Sequence, residues 1–402
     1  MLELSFLLSV LLVIYTYAGY PLLAAILGRL FGREPVSRSY TPPVTLLIAA
    51  YNEEDVIAER LENALSLDYP RDRLQILVAA DGSDDGTAAI VESFAARGVE
   101  LSYDLARRGK MAAINRAMPR ATGEIVVFSD ANNMYEAQAI RRLVRPFANP
   151  QVGAAGGAKR IVKGDGALGE SEGLYWRYED FIKREESRLG TTTGVCGEIL
   201  ALRRNLFRAP PSTTVNDDFY MALDLIARGY DVLYVGDACS YERVSPSAES
   251  ERARRARIVA GRYQAMFTPP LWPRRPLPAW QVISHKYLRP LVPLAMLLAL
   301  ASNIMALLHA PVSRENGRLL AGRSGWLLLG VQILFYMVAW LGKRFEDARG
   351  PVKVLYLPAF LVSANLAALD GLVRFARGKQ STRWQRVPRR SSEVAAYDGR
   401  NA

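Results

Sequence analysis

Two runs of apolar residues that end in aspartate limit the folds open to this chain more than any other feature. LQILVAA leads into Asp81 and EIVVFS leads into Asp130. A run without polar alternation is buried on both faces, the condition of an inner strand in a parallel sheet covered by helices. In open α/β sheets the ligand crevice lies beyond the carboxyl ends of the strands. Asp81 and Asp130 are therefore delivered to a crevice rather than to open solvent. A third acidic stretch, Asn216-Asp217-Asp218, follows much later and is placed to complete the same site.

The segments around these runs repeat the alternation. VTLLIAA (44–50) reads as a strand, followed by a polar turn and a helix over 55–67. The Asp81 run is followed by helical AAIVESFAARG, then a short strand near LSYDL, a loop ARRGK that opens a helix, and the Asp130 strand. Strands alternating with helices predict a parallel sheet with crossover helices, an α/β fold of Rossmann-like type. Beyond residue 148 the pattern loosens. A strand at GAAGGAKRIV, a helix over 171–189, a Gly/Thr-rich loop GTTTGVCG entering an apolar strand at EILALRR, a helix beginning at Asp217 and a strand at YDVLYVGDA are predicted.

At 402 residues the chain is long enough for one such domain and several membrane helices. The apolar content is concentrated near 1–31 and 286–375. This divides the chain into an N-terminal helix (1–31), an α/β block (40–265), interfacial and transmembrane helices (266–376) and a basic tail (377–402). The first segment lacks a basic start and a small-residue cleavage site. It reads as a retained span whose following Arg29, Arg33 and Arg38 lie in the cytoplasm. Three later segments, roughly 287–309, 325–342 and 353–373, have spanning length. Three spans after a cytoplasmic domain would leave the C-terminus outside, yet RFARGKQSTRWQRVPRR (374–390) holds basic residues and no acid, and belongs inside. Either the last segment, interrupted by Asn365 and Asp370, is re-entrant or interfacial, or the number of spans differs by one.

The net charge of +11 suits nucleic acid or an anionic membrane. Arginines flanking the apolar segments explain it through membrane lipids, and no nucleic-acid partner is expected. Cys196 and Cys239 form no CxxC pair, and His285 and His309 are the only histidines. Zinc chemistry and histidine catalysis are thereby disfavoured, which leaves carboxylates and arginines.

AAYNEE (49–54), DGSDDGT (81–87), SDAN (129–132), NDD (216–218) and RRARI (254–258) occur in this order. Together they resemble the motifs of membrane-embedded family 2 glycosyltransferases of GT-A fold, similar to bacterial exopolysaccharide synthases, across the whole 40–265 block. The resemblance implies an inverting, metal-dependent transfer from a UDP-sugar to a growing polysaccharide or lipid-linked acceptor. It implies a bacterial inner-membrane enzyme with a cytoplasmic catalytic domain, working with accessory subunits of an export complex. Two rivals stay open: a non-processive enzyme acting on a lipid or polyprenyl phosphate, and a catalytically silent nucleotide-binding partner of a synthase.

The resemblance assigns Ala50, Tyr51 and Glu53 to the nucleotide, and Asp81 with Ser83 to uracil. Asp81 and its neighbours also read as a turn and helix cap, the reading kept for Asp84 and Asp85. Asp130 with Asn132 is the metal-binding element for Mg²⁺ or Mn²⁺. A diphosphate needs such a cation, and one or two carboxylates suffice to hold it. Asn132 stands where the commoner form has a second carboxylate. Lys110 opens a helix near the phosphates. Asp218 is the candidate general base with Asp217 beside it; capping of their helix is compatible with that role. Arg257 aligns with the arginine that binds the departing diphosphate, while Arg254 and Ile258 replace the usual Gln and Trp. Arg252, Arg255 and Arg262 read as a lipid-facing basic surface. Gly194, Cys196, Gly197 and Ile258 fall on the acceptor side. Trp384 and Arg389 match a C-terminal tryptophan motif or a juxtamembrane anchor.

Overall fold

The computed structural model describes residues 1–34, 39–161, 166–242, 247–309, 319–320, 322–345 and 356–378. The tail with Trp384 and Arg389 lies outside them. Its strands are β1 (Val44–Ala50), β2 (Leu74–Asp81), β3 (Val99–Asp104), β4 (Ile125–Asp130), β5 (Met134–Tyr135), β6 (Val152–Ile161), β7 (Leu200–Arg203) and β8 (Asp231–Glu242). Helices α1 (Leu2–Ile14) and α2 (Tyr20–Leu30) precede them. Within the α/β block come α3 (Ile57–Leu65), α4 (Thr87–Ser93), α5 (Lys110–Ala117), α6 (Ala139–Leu143), α7 (Gly166–Arg188) and α8 (Asp217–Ala227). After it come α9 (Ala248–Met266), α10 (Pro276–Val282), α11 (Val292–His309), α12 (Gly322–Gly342) and α13 (Tyr356–Ala376).

The strands form one sheet in the order β3-β2-β1-β4-β7-β6-β8-β5. β3, β2, β1 and β4 are mutually parallel, as the apolar runs predict, and β6 is parallel to β8. β7 runs antiparallel to both neighbours, and β5 to β8. The sheet is thus mixed where the sequence pattern loosens, a GT-A arrangement. Every residue of β1 is buried. Leu46 and Ile48 pack with α3, α4 and α6, while Leu47 packs with α5 and α8 on the other face. The register sets Ala49 beside Asp130 and Asp81 beside Asp104. Both acidic strand ends therefore reach the same edge of the sheet.

Leu2–Leu30, Pro276–His309, Gly322–Phe345 and Tyr356–Ala376 are long and apolar enough to cross a membrane. Two of them widen locally into π turns, at Tyr15–Gly19 and Ile283–Tyr287. Such turns rotate the side chains that follow and recur at functional positions. Here Tyr15 Oη lies 2.8 Å from Ser284 Oγ, joining the two turns.

Helix α13 runs along the α/β block. Tyr356 and Ala359 pack with Ile161 at the end of β6. Farther on, Phe375 stacks on Tyr263 and Phe267. A Cβ on Gly371 would fall 2.8 Å from Ala256 O, so α13 and α9 approach at backbone distance. The two polar residues that interrupt its apolar sequence have partners. Asp370 pairs with Arg252 at 2.8 Å, and Asn365 Nδ2 donates to Tyr17 Oη at 3.3 Å.

Candidate active site

The loops after β1 and β2 are tied together. Asn52 takes a left-handed backbone (φ 51°), which asparagine tolerates better than most residues. Its amide donates to Ser83 Oγ at 3.1 Å and its Nδ2 to Asp84 Oδ1 at 2.6 Å. Asp85 accepts from Thr87 N and Glu54 N, so Asp84 and Asp85 both bridge the loops, and Asp85 also satisfies the first N–H of α4. Ala50 closes β1, and the Glu53 amide donates to Thr87 Oγ1 at 2.8 Å. The Tyr51 ring lies under the Arg107 guanidinium, 3.8 Å from its centroid.

Asp81 is buried, and each of its oxygens accepts a backbone N–H, from Arg108 at 2.9 Å and Gly109 at 2.7 Å. It thereby fixes the loop that leads into α5. Gly82 (φ 63°) makes the close approach possible, since a Cβ would come 2.6 Å from Arg107 N.

At the first residue of α5, Lys110 Nζ meets Asp130 Oδ1 at 2.5 Å. Burial pulls the lysine toward deprotonation, but Asp130, Asp217 and Asp218 outweigh it and hold the ammonium charged. Asn132 turns elsewhere and donates from Nδ2 to Glu242 Oε1 at 3.5 Å. Among the described residues no group of three or more His, Cys, Asp or Glu side chains forms a metal cluster. One carboxylate that already carries a cation remains at the end of β4.

Asp218 stands in the first turn of α8. Its Oδ1 accepts from Phe219 N at 2.7 Å and its Oδ2 from Gly197 N at 2.9 Å. Burial and then the adjacent Asp217 push its pKa up to about 6, against the hydrogen bonds and Lys110, which pull it down.

Two cavities meet here. The smaller, about 80 Å³, opens at the start of α5, and the larger, about 280 Å³, extends to α13. Lys110, Asp130, Asp217 and Arg257 line both, whereas Asp218 and Ile258 line only the larger. Arg257 Nη1 donates to Val215 O at 3.2 Å. Gly194, Cys196 and Gly197 also line the larger cavity. Burial pushes the Cys196 thiol up to about 11, so it stays a protonated, space-filling group.

Helix α9 departs from the lipid-facing reading. Arg254 and Arg255 turn inward to Glu251, at 2.8 and 2.6 Å, with Glu172 of α7 behind them. The i, i+3 and i+4 spacing from Glu251 puts all three residues on one helix face. Arg254 and Arg262 line the larger cavity, and Arg252 pairs with α13.

The structure adds residues to the cavity that motif reading misses: Tyr17, Lys159, Lys183, Glu179, Lys286 and Arg289. Lys159 pairs with Glu198 at 2.9 Å and with Glu242. His285 lies between Glu186 (Nδ1, 2.8 Å) and Glu179 (Nε2, 3.2 Å). The available signal was His285, Lys286 and Arg289 inside an otherwise apolar segment, since ionisable residues in such segments are costly and mark functional sites.

Residues 45–209 match the model of glycosyl transferase family 2. The chain carries a family 2 glycosyltransferase domain. The matched span of this domain includes Asp81, Lys110, Asp130 and Gly197 and stops short of Asp218 and Arg257. The chain is 26% identical over 236 residues to the poly-β-1,6-N-acetyl-D-glucosamine synthase of Staphylococcus epidermidis, covering 57% of each sequence. It is 35% identical over 132 residues to the probable glycosyltransferase YdaM of Bacillus subtilis, covering 30% of each. It thus spans just over half the length of the first of these relatives. A solved structure, the mannosyltransferase of Pyrobaculum calidifontis in complex with GDP-Man and Mn²⁺, superposes with a TM-score of 0.69 at 23% identity, over 92% of this chain and 99% of that one. That likeness extends the shared fold beyond the glycosyltransferase domain into the flanking helices.

Proposed function

We propose that this glycosyltransferase transfers a sugar, with inversion, from a nucleoside-diphosphate sugar to an acceptor hydroxyl held in the larger cavity. The reading rests on one observation. Asp218 lines the larger cavity alone, while Lys110, Asp130, Asp217 and Arg257 line its junction with the smaller one. A donor diphosphate in the smaller cavity would meet the cations at that junction, and an acceptor would meet the carboxylate on the far side.

In this reaction the acceptor oxygen forms a bond to the anomeric carbon as the bond from that carbon to the β-phosphate oxygen breaks. The acceptor proton passes to Asp218, whose raised pKa suits a general base at neutral pH. The nucleoside diphosphate leaves with its electron pair, its charge met by Arg257 and Lys110. Asp130 would hold a divalent cation through its single carboxylate once the Lys110 ammonium that now pairs with it turns to the diphosphate. Mg²⁺ or Mn²⁺ there would take further ligands from the diphosphate and water, and would neutralise charge on the leaving group. We assign the donor base to uracil on the Asp81 turn alone, which ends β2 beside the loop that leads into α5.

The packing of α13 along the α/β block supports an interfacial helix, and the basic residues that flank the apolar segments favour a cytoplasmic catalytic domain at a bacterial inner membrane. The acceptor is then a lipid-linked glycan or a growing polysaccharide reached from the membrane. A screen of UDP- and GDP-sugars for nucleoside-diphosphate release, with the full chain in proteoliposomes, tests the reading. Release from one or more UDP-sugars that depends on Asp218 is expected. Release from GDP-sugars alone would overturn the uracil assignment, and silence with every donor would overturn the enzyme.

A further inference from the structure

The larger cavity has a second cationic wall that the transfer chemistry does not use. Arg289 is only 8% exposed, and its Nη1 pairs with Glu179 Oε1. Its Nε and Nη2 have no hydrogen-bond partner among the described residues. Arg255 repeats the situation. Its Nε is taken by Glu251, while Nη2 lies 4.0 Å from Glu172, too far to bond, and is also unpartnered. Lys286 and Arg262 join them on the cavity wall. Lys286 Nζ lies 3.5 Å from Glu179 and 3.2 Å from His285 Nε2. Among the described residues Glu179 is the acid that pairs with both Arg289 and Lys286.

Buried guanidinium N–H groups without acceptors cost free energy, so a fold that keeps several on one wall has a use for them. A largely apolar stretch of α13, broken by Asn365, adjoins these cations. The Arg255 guanidinium lies 4.7 Å from the Phe360 ring centroid, and Leu361, Ala364 and Ala368 continue that face along α13. Open cationic donors beside an apolar face on a segment of spanning length match an anionic head group with an apolar tail. Phosphate fits better than carboxylate, because its additional oxygen lets it accept from two guanidinium forks and an ammonium together.

We infer that Arg289, Arg255 and Lys286 form a binding site for the phosphoryl group of a membrane lipid, which anchors the lipid-borne acceptor in the larger cavity. The site is separate from the donor junction at Lys110 and Arg257. It rests on the acceptor reading of that cavity given above.

The test is binding of polyprenyl phosphate, the matching polyprenol and inorganic phosphate to the full chain in phosphatidylcholine nanodiscs, without donor and in the Asp218→Asn background. Polyprenyl phosphate should bind at least about tenfold tighter than the alcohol, with inorganic phosphate competing only at far higher concentration. Arg289→Gln should lose that preference while nucleoside-diphosphate affinity stays unchanged. If Arg289→Gln does not fold, Arg289→Lys decides. It keeps the charge beside Glu179 but lacks the spare fork N–H groups, and should retain only part of the preference. Equal binding of phosphate and alcohol, or a folded variant that keeps the full preference, would overturn the site. Displacement by inorganic phosphate at equal concentration would overturn the lipid assignment. Because binding is read without donor, a silent donor screen sinks the transfer reading and with it the acceptor role, and leaves the lipid-phosphate site itself standing. Active transfer with no phosphate preference sinks only this one.

Discussion

The backbone N–H of Gly197 donates to Asp218 Oδ2 at 2.9 Å, so the loop before β7 aims the carboxylate that begins α8. The other oxygen is held by the Phe219 amide at 2.7 Å. Two rigid elements therefore fix a group whose environment, burial first and Asp217 second, raises its pKa to about 6. A positioned carboxylate with that affinity for protons accepts one readily at neutral pH.

Transfer should depend on the ionisation of Asp218. The rate is expected to rise with pH through about 6 and level off above it. At pH 5 about one tenth of the plateau should remain. The sign for stability is opposite. A carboxyl raised from 3.8 to about 6 on folding stabilises the fold below 3.8, and that contribution is lost as pH rises through 6. Asp218→Asn should therefore raise Tm by a few degrees at pH 8 and leave it unchanged below pH 3.8. Melting curves at the two pH values check this.

Gly197→Ala should impair turnover with little effect on donor affinity. The added Cβ would stand 3.1 Å from Asp218 Cβ and 3.3 Å from Oδ2, tight enough to shift the carboxylate. A displacement of that kind is expected to lower kcat about tenfold or more, with KM for the donor nearly constant.

Lys110→Met should separate two roles of the Asp130 pair. Removing the ammonium 2.5 Å away leaves Asp130 without its intramolecular cation. Mn²⁺ binding by the nucleotide-free protein should then strengthen, read by electron paramagnetic resonance. Nucleoside-diphosphate affinity should weaken about tenfold from the lost charge-assisted bond.

Gly371→Leu should detach α13 from α9. A Cβ at this glycine would fall 2.8 Å from Ala256 O and 2.9 Å from Val259 Cβ, and backbone does not give way as a side chain does. A loss of about 1–3 kcal/mol is expected. Faster hydrogen exchange along both helices, with β1 and β4 unchanged, is the readout.

The parallel half of the sheet was legible because β1, β2 and β4 are buried on both faces and their sequences show it as unbroken apolar runs. β5 was not, since a two-residue strand leaves too little pattern, and β7, legible as an apolar strand after the Gly/Thr-rich loop, owes its antiparallel direction to neighbours distant in sequence. The positions of Asp81, Asp130 and Asp218 were legible because the first two end apolar strands and the third lies in the first turn of a helix. The partners of Asp218 and Asp81 escaped reading because they are backbone amides, which any residue type supplies. For Arg255 the run of basic residues predicts a lipid-facing side chain, whereas its i, i+4 spacing from Glu251 is what the fold uses, turning it inward at 2.6 Å. The cationic wall around Arg289 joins α7, α9 and the segment before α11, and only packing brings those together.

The central claim is that Asp218 takes the proton on the acceptor side while the donor binds independently of it. The direct measurement pairs transfer rates with nucleoside-diphosphate affinity in wild type and Asp218→Asn, on the full chain in proteoliposomes. The prediction is a loss of transfer of about 10²–10⁴-fold with the dissociation constant unchanged. Transfer at the wild-type rate in a folded Asp218→Asn protein would contradict it.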